Sequence, residues 1–172
     1  MQNKGYVHLY TGNGKGKTTA ALGLALRAAG AGKKVYIAQF VKGMYYSELE
    51  AIKQIKNIET HQFGLECFIV NTPQKDDIEI AQKGLKAVEQ ILINGQHEMV
   101  ILDEACIALY YNLFSFNELI SVLNKRNPNT EIVLTGRKAP KELIDFADLV
   151  TEMKEIKHYY QKGVQARKGI EN

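Results

Sequence analysis

The run Thr11-Gly12-Asn13-Gly14-Lys15-Gly16-Lys17-Thr18-Thr19 constrains this chain more than any other stretch. It follows a β-prone segment at 6–10 (YVHLY) and precedes an Ala/Leu-rich helical signal at 18–29 (TTAALGLALRAA). Closely spaced glycines let the main chain curl with its N–H groups pointing inward, which makes a nest for an anion. The helix that follows adds unpaired N–H groups and the positive end of its dipole. Strand, glycine-rich turn and helix in that order predict a phosphate cradle. Gly12, Asn13, Gly14, Lys15, Gly16, Lys17, Thr18 and Thr19 are therefore the candidate nucleotide-binding residues. Lys17 would reach phosphate oxygens, and the Thr18 hydroxyl would join the shell of a bound Mg²⁺. The pattern is G-x-x-x-G-K-T, one residue shorter than the usual G-x-x-x-x-G-K-[ST], because Thr11 stands where the first glycine would be.

Strand-like and helix-like stretches alternate along the remainder. Residues 35–41, 58–63, 99–102, 131–135 and 149–153 are β-prone, while 47–56, 76–94, 115–125 and 140–146 carry helical periodicity. Ser47/Glu50 and Ser115/Glu118 stand at capping-box spacing. Alternation with short connections predicts a parallel sheet with helices on both faces. With the cradle, the class is α/β: a P-loop NTPase-like, RecA-like three-layer sandwich with a mostly parallel central sheet, formed as one domain over residues 1–172.

In such sheets ligands sit beyond the carboxyl ends of the strands. The turn after Tyr10, residues 39–43, Asp103-Glu104 and residues 135–137 all fall there. Asp103 and Glu104 end the apolar run MVIL, and an acid at that place is costly to bury without a partner. Beside a phosphate cradle the partner is a metal ion or its water. Thr18, Asp103 and Glu104 are the candidate Mg²⁺ ligands, and Lys17 and Glu104 the candidate catalytic residues. Arg137, with its fixed fork of donors, is a further candidate for the phosphates. The residues alone leave open a P-loop ATPase or kinase cleaving the terminal phosphate, with Glu104 orienting water.

Composition narrows the field. Of 172 residues, 45% are hydrophobic and 24% charged, which excludes a disordered or fibrous chain. A net charge of +3 spread along the chain is no nucleic-acid footprint. The apolar runs are far shorter than the roughly 20 residues that cross a bilayer, so neither a membrane nor a nucleic-acid partner is expected, and the expected location is cytoplasmic. Cys67 and Cys106 lack disulfide or zinc spacing and read as free thiols.

The string GNGKGKTTAA at 12–21 resembles the P-loop of the ATP:corrinoid adenosyltransferases of the cobalamin pathway. Gln39-Phe40-Val41-Lys42-Gly43 is similar to that family's QF-x-KG, and Leu102-Asp103-Glu104 to its LDE. Leu134-Thr135-Gly136-Arg137 with 147–153 is similar to its TGR…ADLVTEM, and Lys157-His158, Gly163 and Gly169-Ile170-Glu171 to its KH…G…GIE ending. These blocks run in order over nearly the whole chain. The resemblance implies transfer of the 5′-deoxyadenosyl group of ATP to the cobalt(I) of a reduced corrinoid, with release of triphosphate. It implies Mg²⁺, a flavoprotein or other reductant, a homodimer, and a nucleotide lying reversed along the loop. Gln39 and Lys42 would then sit toward the adenosine end, and Phe63 and Phe68 against the corrinoid. His158 is expected to be a hydrogen-bonded tail residue, since a lower cobalt ligand would hinder formation of cobalt(I).

Overall fold

The computed structural model describes residues 4–66, 69 and 72–171. Six strands form one sheet: β1 (Val7–Thr11), β2 (Val35–Phe40), β3 (Ile58–Phe63), β4 (Met99–Asp103), β5 (Glu131–Thr135) and β6 (Leu149–Glu152). Their order is β3-β2-β4-β5-β1-β6, and every pairing is parallel. The sheet anticipated as mostly parallel is thus wholly parallel among the described residues. The cause lies in the connections, since each consecutive pair of strands is joined by a helical crossover.

The two faces are filled by alternate residues of the same strands. Val35, Ile37, Met99, Ile101 and Val133 meet Ala21, Ala25 and Ala28 of α1 (Lys17–Gly30) and Ile52 of α2 (Ser47–Ile52). Tyr36, Ala38, Phe40, Val100, Leu102, Ile132 and Leu134 face the other way. They pack on α3 (Lys75–Asn94), α4 (Ala105–Tyr110), α5 (Phe116–Leu123) and α6 (Lys141–Phe146). β2 and β4 are buried at every position, as expected of central strands covered on both faces. β6 closes the sheet beside β1 and is exposed at all four residues.

Some boundaries differ from the sequence reading. The Ser115/Glu118 box forms, with the Ser115 N–H donating to Glu118 at 2.7 Å and the Glu118 N–H donating to Ser115 Oγ at 3.2 Å. The anticipated Ser47 cap does not lead its helix: α2 takes Tyr46 as N-cap, so Ser47 lies in the first turn. α3 is instead opened by a box between Gln74 and Asp77. The short α4 and a 3-10 turn at Tyr159–Lys162 are additional elements. α4 spans barely two turns of mostly apolar residues, too few to show a helical period in the sequence.

Candidate active site

The carboxyl ends of β1, β2, β4 and β5 meet at one edge of the sheet, with β5 between the strand that leads into the glycine-rich loop and the strand that ends in Asp103. The loop turns through left-handed backbone at Gly12 (φ 98°) and Gly16 (φ 114°), where a side chain would be strained. Its glycines have a second reason. The Gly14 N–H donates to the Met153 carbonyl at 2.7 Å, and the Met153 N–H donates to the Thr11 carbonyl at 2.8 Å. A Cβ on Gly12 or Gly14 would come within 2.4 or 2.7 Å of that Met153 oxygen. The loop is thus pressed against the chain leaving β6, a contact that the glycine pattern alone does not reveal.

Lys17 is buried, not poised outside the core, and its Nζ donates to the Gly14 carbonyl at 2.7 Å. Burial, and then the nearby Arg137 guanidinium, lower its pKa from the ordinary lysine value. Arg137 itself is exposed just past the end of β5. Thr19, on the first turn of α1, is exposed.

Asp103 is the hub. It is 1% exposed and accepts four hydrogen bonds. Oδ1 accepts from Thr18 Oγ1 at 2.9 Å and from Thr135 Oγ1 at 2.7 Å. Oδ2 accepts from Lys42 Nζ at 2.7 Å and from Gln39 Nε2 at 3.2 Å. Burial alone would raise the Asp103 pKa; the Lys42 charge and the hydrogen bonds from Lys42, Thr135 and Thr18 outweigh it and hold the carboxyl below the usual range. Lys42 shows the reciprocal balance, burial working against its charge and Asp103 raising its pKa overall. Gln39 and Lys42 are thereby tied to the aspartate. The Thr135 hydroxyl donates to Asp103 and accepts from the Glu104 N–H at 3.0 Å.

Glu104 caps α4 from left-handed backbone (φ 59°). Burial, and then the charge of Asp103, push its carboxyl pKa upward. Below it, Gly136 admits Cys106: a Cβ there would sit 2.8 Å from that of the cysteine. Cys106 is buried, and burial followed by the Glu104 charge moves its thiol up to about 12.

The donors Thr18 Oγ1, Asp103 and Glu104 are all hard oxygens, as Mg²⁺ prefers. The place already accommodates positive charge, since Lys42 Nζ lies 2.7 Å from Asp103 Oδ2 and 3.3 Å from Thr18 Oγ1. Among the described residues no three His, Cys, Asp or Glu side chains cluster as a metal cage. Thr18, Asp103 and Glu104 fit the ion.

The other sequence candidates lie as follows. Asn13 is exposed at the tip of the loop. Lys15 is held by the C-terminal segment: its Nζ donates to Glu171 Oε1 at 2.7 Å, to the Ile170 carbonyl at 2.8 Å and to Tyr159 Oη at 3.1 Å. Phe63 packs on Phe40 at 6.0 Å between ring centroids and against Gly84 of α3, where a Cβ would fall 2.5 Å from the ring. Phe68 lies outside the described residues, as does Cys67. His158 Nδ1 accepts from the Tyr160 N–H at 3.1 Å, in the tail role expected of it. Met153, Tyr159 and Glu171 gave no signal as neighbours of the loop, because their contacts span more than a hundred residues of sequence.

A wholly parallel sheet with a glycine-rich loop before α1 and a buried aspartate ending β4 is the fold of a P-loop NTPase-like protein. Within that class, the chain belongs to the ATP:corrinoid adenosyltransferase BtuR/CobO/CobP family, which it matches over residues 3–172. The corrinoid adenosyltransferase of Escherichia coli is 32% identical over 172 residues, spanning 99% of this chain and 87% of that protein. The corrinoid adenosyltransferase CobA of Salmonella typhimurium is 33% identical over 99% of this chain and 87% of its own length. That of a Sinorhizobium species is 37% identical over 98% and 80% respectively. Family membership makes this chain an enzyme that adenosylates corrinoids with ATP.

Proposed function

We propose that residues 12–18 grip the triphosphate of ATP while the cobalt(I) of a corrinoid substrate attacks the ribose C5′. A cobalt–carbon bond forms as the C5′–O bond breaks; cobalt supplies both electrons and is formally oxidised to cobalt(III), and the C5′–O pair leaves with intact triphosphate. The nucleophile arrives with the substrate, so the protein needs no Ser, Cys or general base. Its task is positioning, together with stabilising charge on the leaving group. The observation that carries this reading is the meeting of Lys17, Thr18 and buried Asp103 at the mouth of the loop.

Lys17 is suited to the role because it is fixed in place before substrate binds, at 2.7 Å from the Gly14 carbonyl. Loop N–H groups and the start of α1 add donors to the phosphates, and Arg137 adds charge from the end of β5. Bound at Thr18, Asp103 and Glu104, Mg²⁺ would neutralise the charge that gathers on the departing triphosphate. Gln39 secures Asp103, and Thr135 joins Asp103 to the Glu104 backbone. A flavoprotein or other reductant supplies cobalt(I), the enzyme acts as a homodimer, and its place is the cytoplasm, where ATP is abundant.

The test is the product. With Mg-ATP and a chemically reduced corrinoid, the protein should yield a light-sensitive adenosylated corrinoid and one triphosphate per turnover. Lys17→Ala should cut that rate by at least a hundredfold with the circular dichroism unchanged. ADP and phosphate without alkylated corrinoid would instead mean terminal-phosphate cleavage.

A further inference from the structure

Lys42 stands where a metal ion is expected. Its ammonium contacts two of the three oxygen groups assigned to Mg²⁺, Asp103 Oδ2 at 2.7 Å and Thr18 Oγ1 at 3.3 Å. A carboxylate offers about four acceptor positions, and those of Asp103 are filled by Thr18, Thr135, Gln39 and Lys42. A cation that reaches Asp103 directly must therefore evict one donor. Thr18 is itself a ligand, and Thr135 and Gln39 are fully buried on strands of the sheet. Lys42 is the removable one, because its charge rides on a four-carbon stem from a loop.

The root of that stem is fixed. Val41 is β-branched yet takes left-handed backbone (φ 58°), a conformation sustained only where the surroundings impose it. The imposition is visible in Gly64, where a Cβ would sit 2.3 Å from the Lys42 nitrogen, and in Gly43, where one would sit 2.3 Å from the Gly64 carbonyl. A second resting place is also at hand, for the Tyr46 ring lies 5.1 Å from Lys42 Nζ.

We propose that Lys42 is a built-in counter-cation of the metal site, which occupies the divalent ion's place at Asp103 and Thr18 and is displaced when that ion binds. The inference rests on the Thr18–Asp103–Glu104 reading of the site. It makes Lys42 a positioning residue: it keeps the buried carboxylate correctly turned, and it penalises a divalent cation that arrives alone. A triphosphate offers the displaced ammonium new partners, so cation and triphosphate bind each other's complex more tightly than the free protein. Such coupling is reciprocal.

The test uses Mn²⁺ alone, followed by its electron paramagnetic resonance signal. Lys42→Met should bind Mn²⁺ at least tenfold more tightly than the unaltered protein, and Mn²⁺ should raise its Tm by more. With tripolyphosphate as second ligand, the mutual enhancement seen in the unaltered protein should shrink in Lys42→Met. Thr18→Ala should weaken Mn²⁺ binding. If Thr18→Ala weakens it while Lys42→Met leaves it unchanged or weaker, the counter-cation is overturned and the metal site stands. If Thr18→Ala has no effect, the metal site itself fails and the counter-cation with it. Should Lys42→Met not fold, the unaltered protein decides. Acylation of Lys42, read by peptide mass, should speed up at least fivefold at saturating Mn²⁺, and an unchanged rate overturns the proposal.

Discussion

Tyr36 shows what a single residue's surroundings do to its chemistry. Its ring is 2% exposed and stacks on His61 at 5.6 Å, with His97 edge-on at 5.7 Å. Burial, and then the charge of Glu59, raise its phenol from 10.0 to about 12. The folded state therefore holds this proton more firmly than the unfolded chain. The stabilisation is fully present below the unfolded value of about 10 and is lost as pH rises through the folded value. Tyr36→Phe should match the unaltered protein at neutral pH and grow relatively more stable between pH 10 and about 12. Urea unfolding across that range checks it; parallel curves for the two proteins would refute the assignment. The functional residues divide along a similar line of visibility. The places of Lys17 and Thr18 on a glycine-rich loop and of Asp103 at the end of a buried strand were legible, the first two from the strand–turn–helix order and the third from the apolar run that it ends. The bonds from Gln39 and Lys42 to Asp103 were not, since a parallel pairing 64 positions apart in sequence leaves no local trace.

At the scale of elements, alternation of apolar runs was enough to predict all six strands and the three-layer class. Helix starts were less legible, because S-x-x-E occurs both where a helix begins and one residue inside it, as Ser115 and Ser47 show. The pairing of α3 with β3 turns on a gap that sequence cannot disclose. Gly84 lies mid-helix, and Phe63 of the edge strand fills the space its missing side chain leaves. Alanine there would gain about 1 kcal/mol in helix propensity. Its Cβ, however, would fall 2.5 Å from the body of the ring, not from a flexible tip. Overpacking of that kind costs about 1–3 kcal/mol. Gly84→Ala should therefore be destabilising by about 1 kcal/mol net, and Phe63→Ala, which takes away the ring carbons that the new Cβ would strike, should cost less in the Gly84→Ala background than in the unaltered protein. Denaturant midpoints for the four proteins give the coupling directly; simple additivity would show that the two residues do not share the gap.

At the scale of the whole molecule, the segment after β6 returns across the sheet edge and fastens the loop at two points. The first is main-chain: Met153 bonds both Thr11 and Gly14. The second is ionic: Lys15 is gripped by Glu171, the Ile170 carbonyl and Tyr159, while Arg167 pairs with Glu171 at 3.2 Å and lies 5.1 Å from the centre of the Tyr159 ring. Arg167, Lys15 and Tyr159 hold the Glu171 carboxyl well below the usual carboxylate range. Water screens such pairs, so Glu171→Gln should raise the KM for ATP by no more than about fivefold. Removing residues 164–172 takes away Arg167, Ile170 and Glu171 together and should raise it further. It should also speed amide exchange at residues 12–17, yet leave the β1–β6 pairing in place because Met153 remains. The sheet is thereby separated from the clamp: Tm should change little while loop exchange and KM rise together. Unchanged exchange in the shortened protein would mean that Met153 alone orders the loop, and that the ionic cluster belongs to the tail and not to the phosphate site.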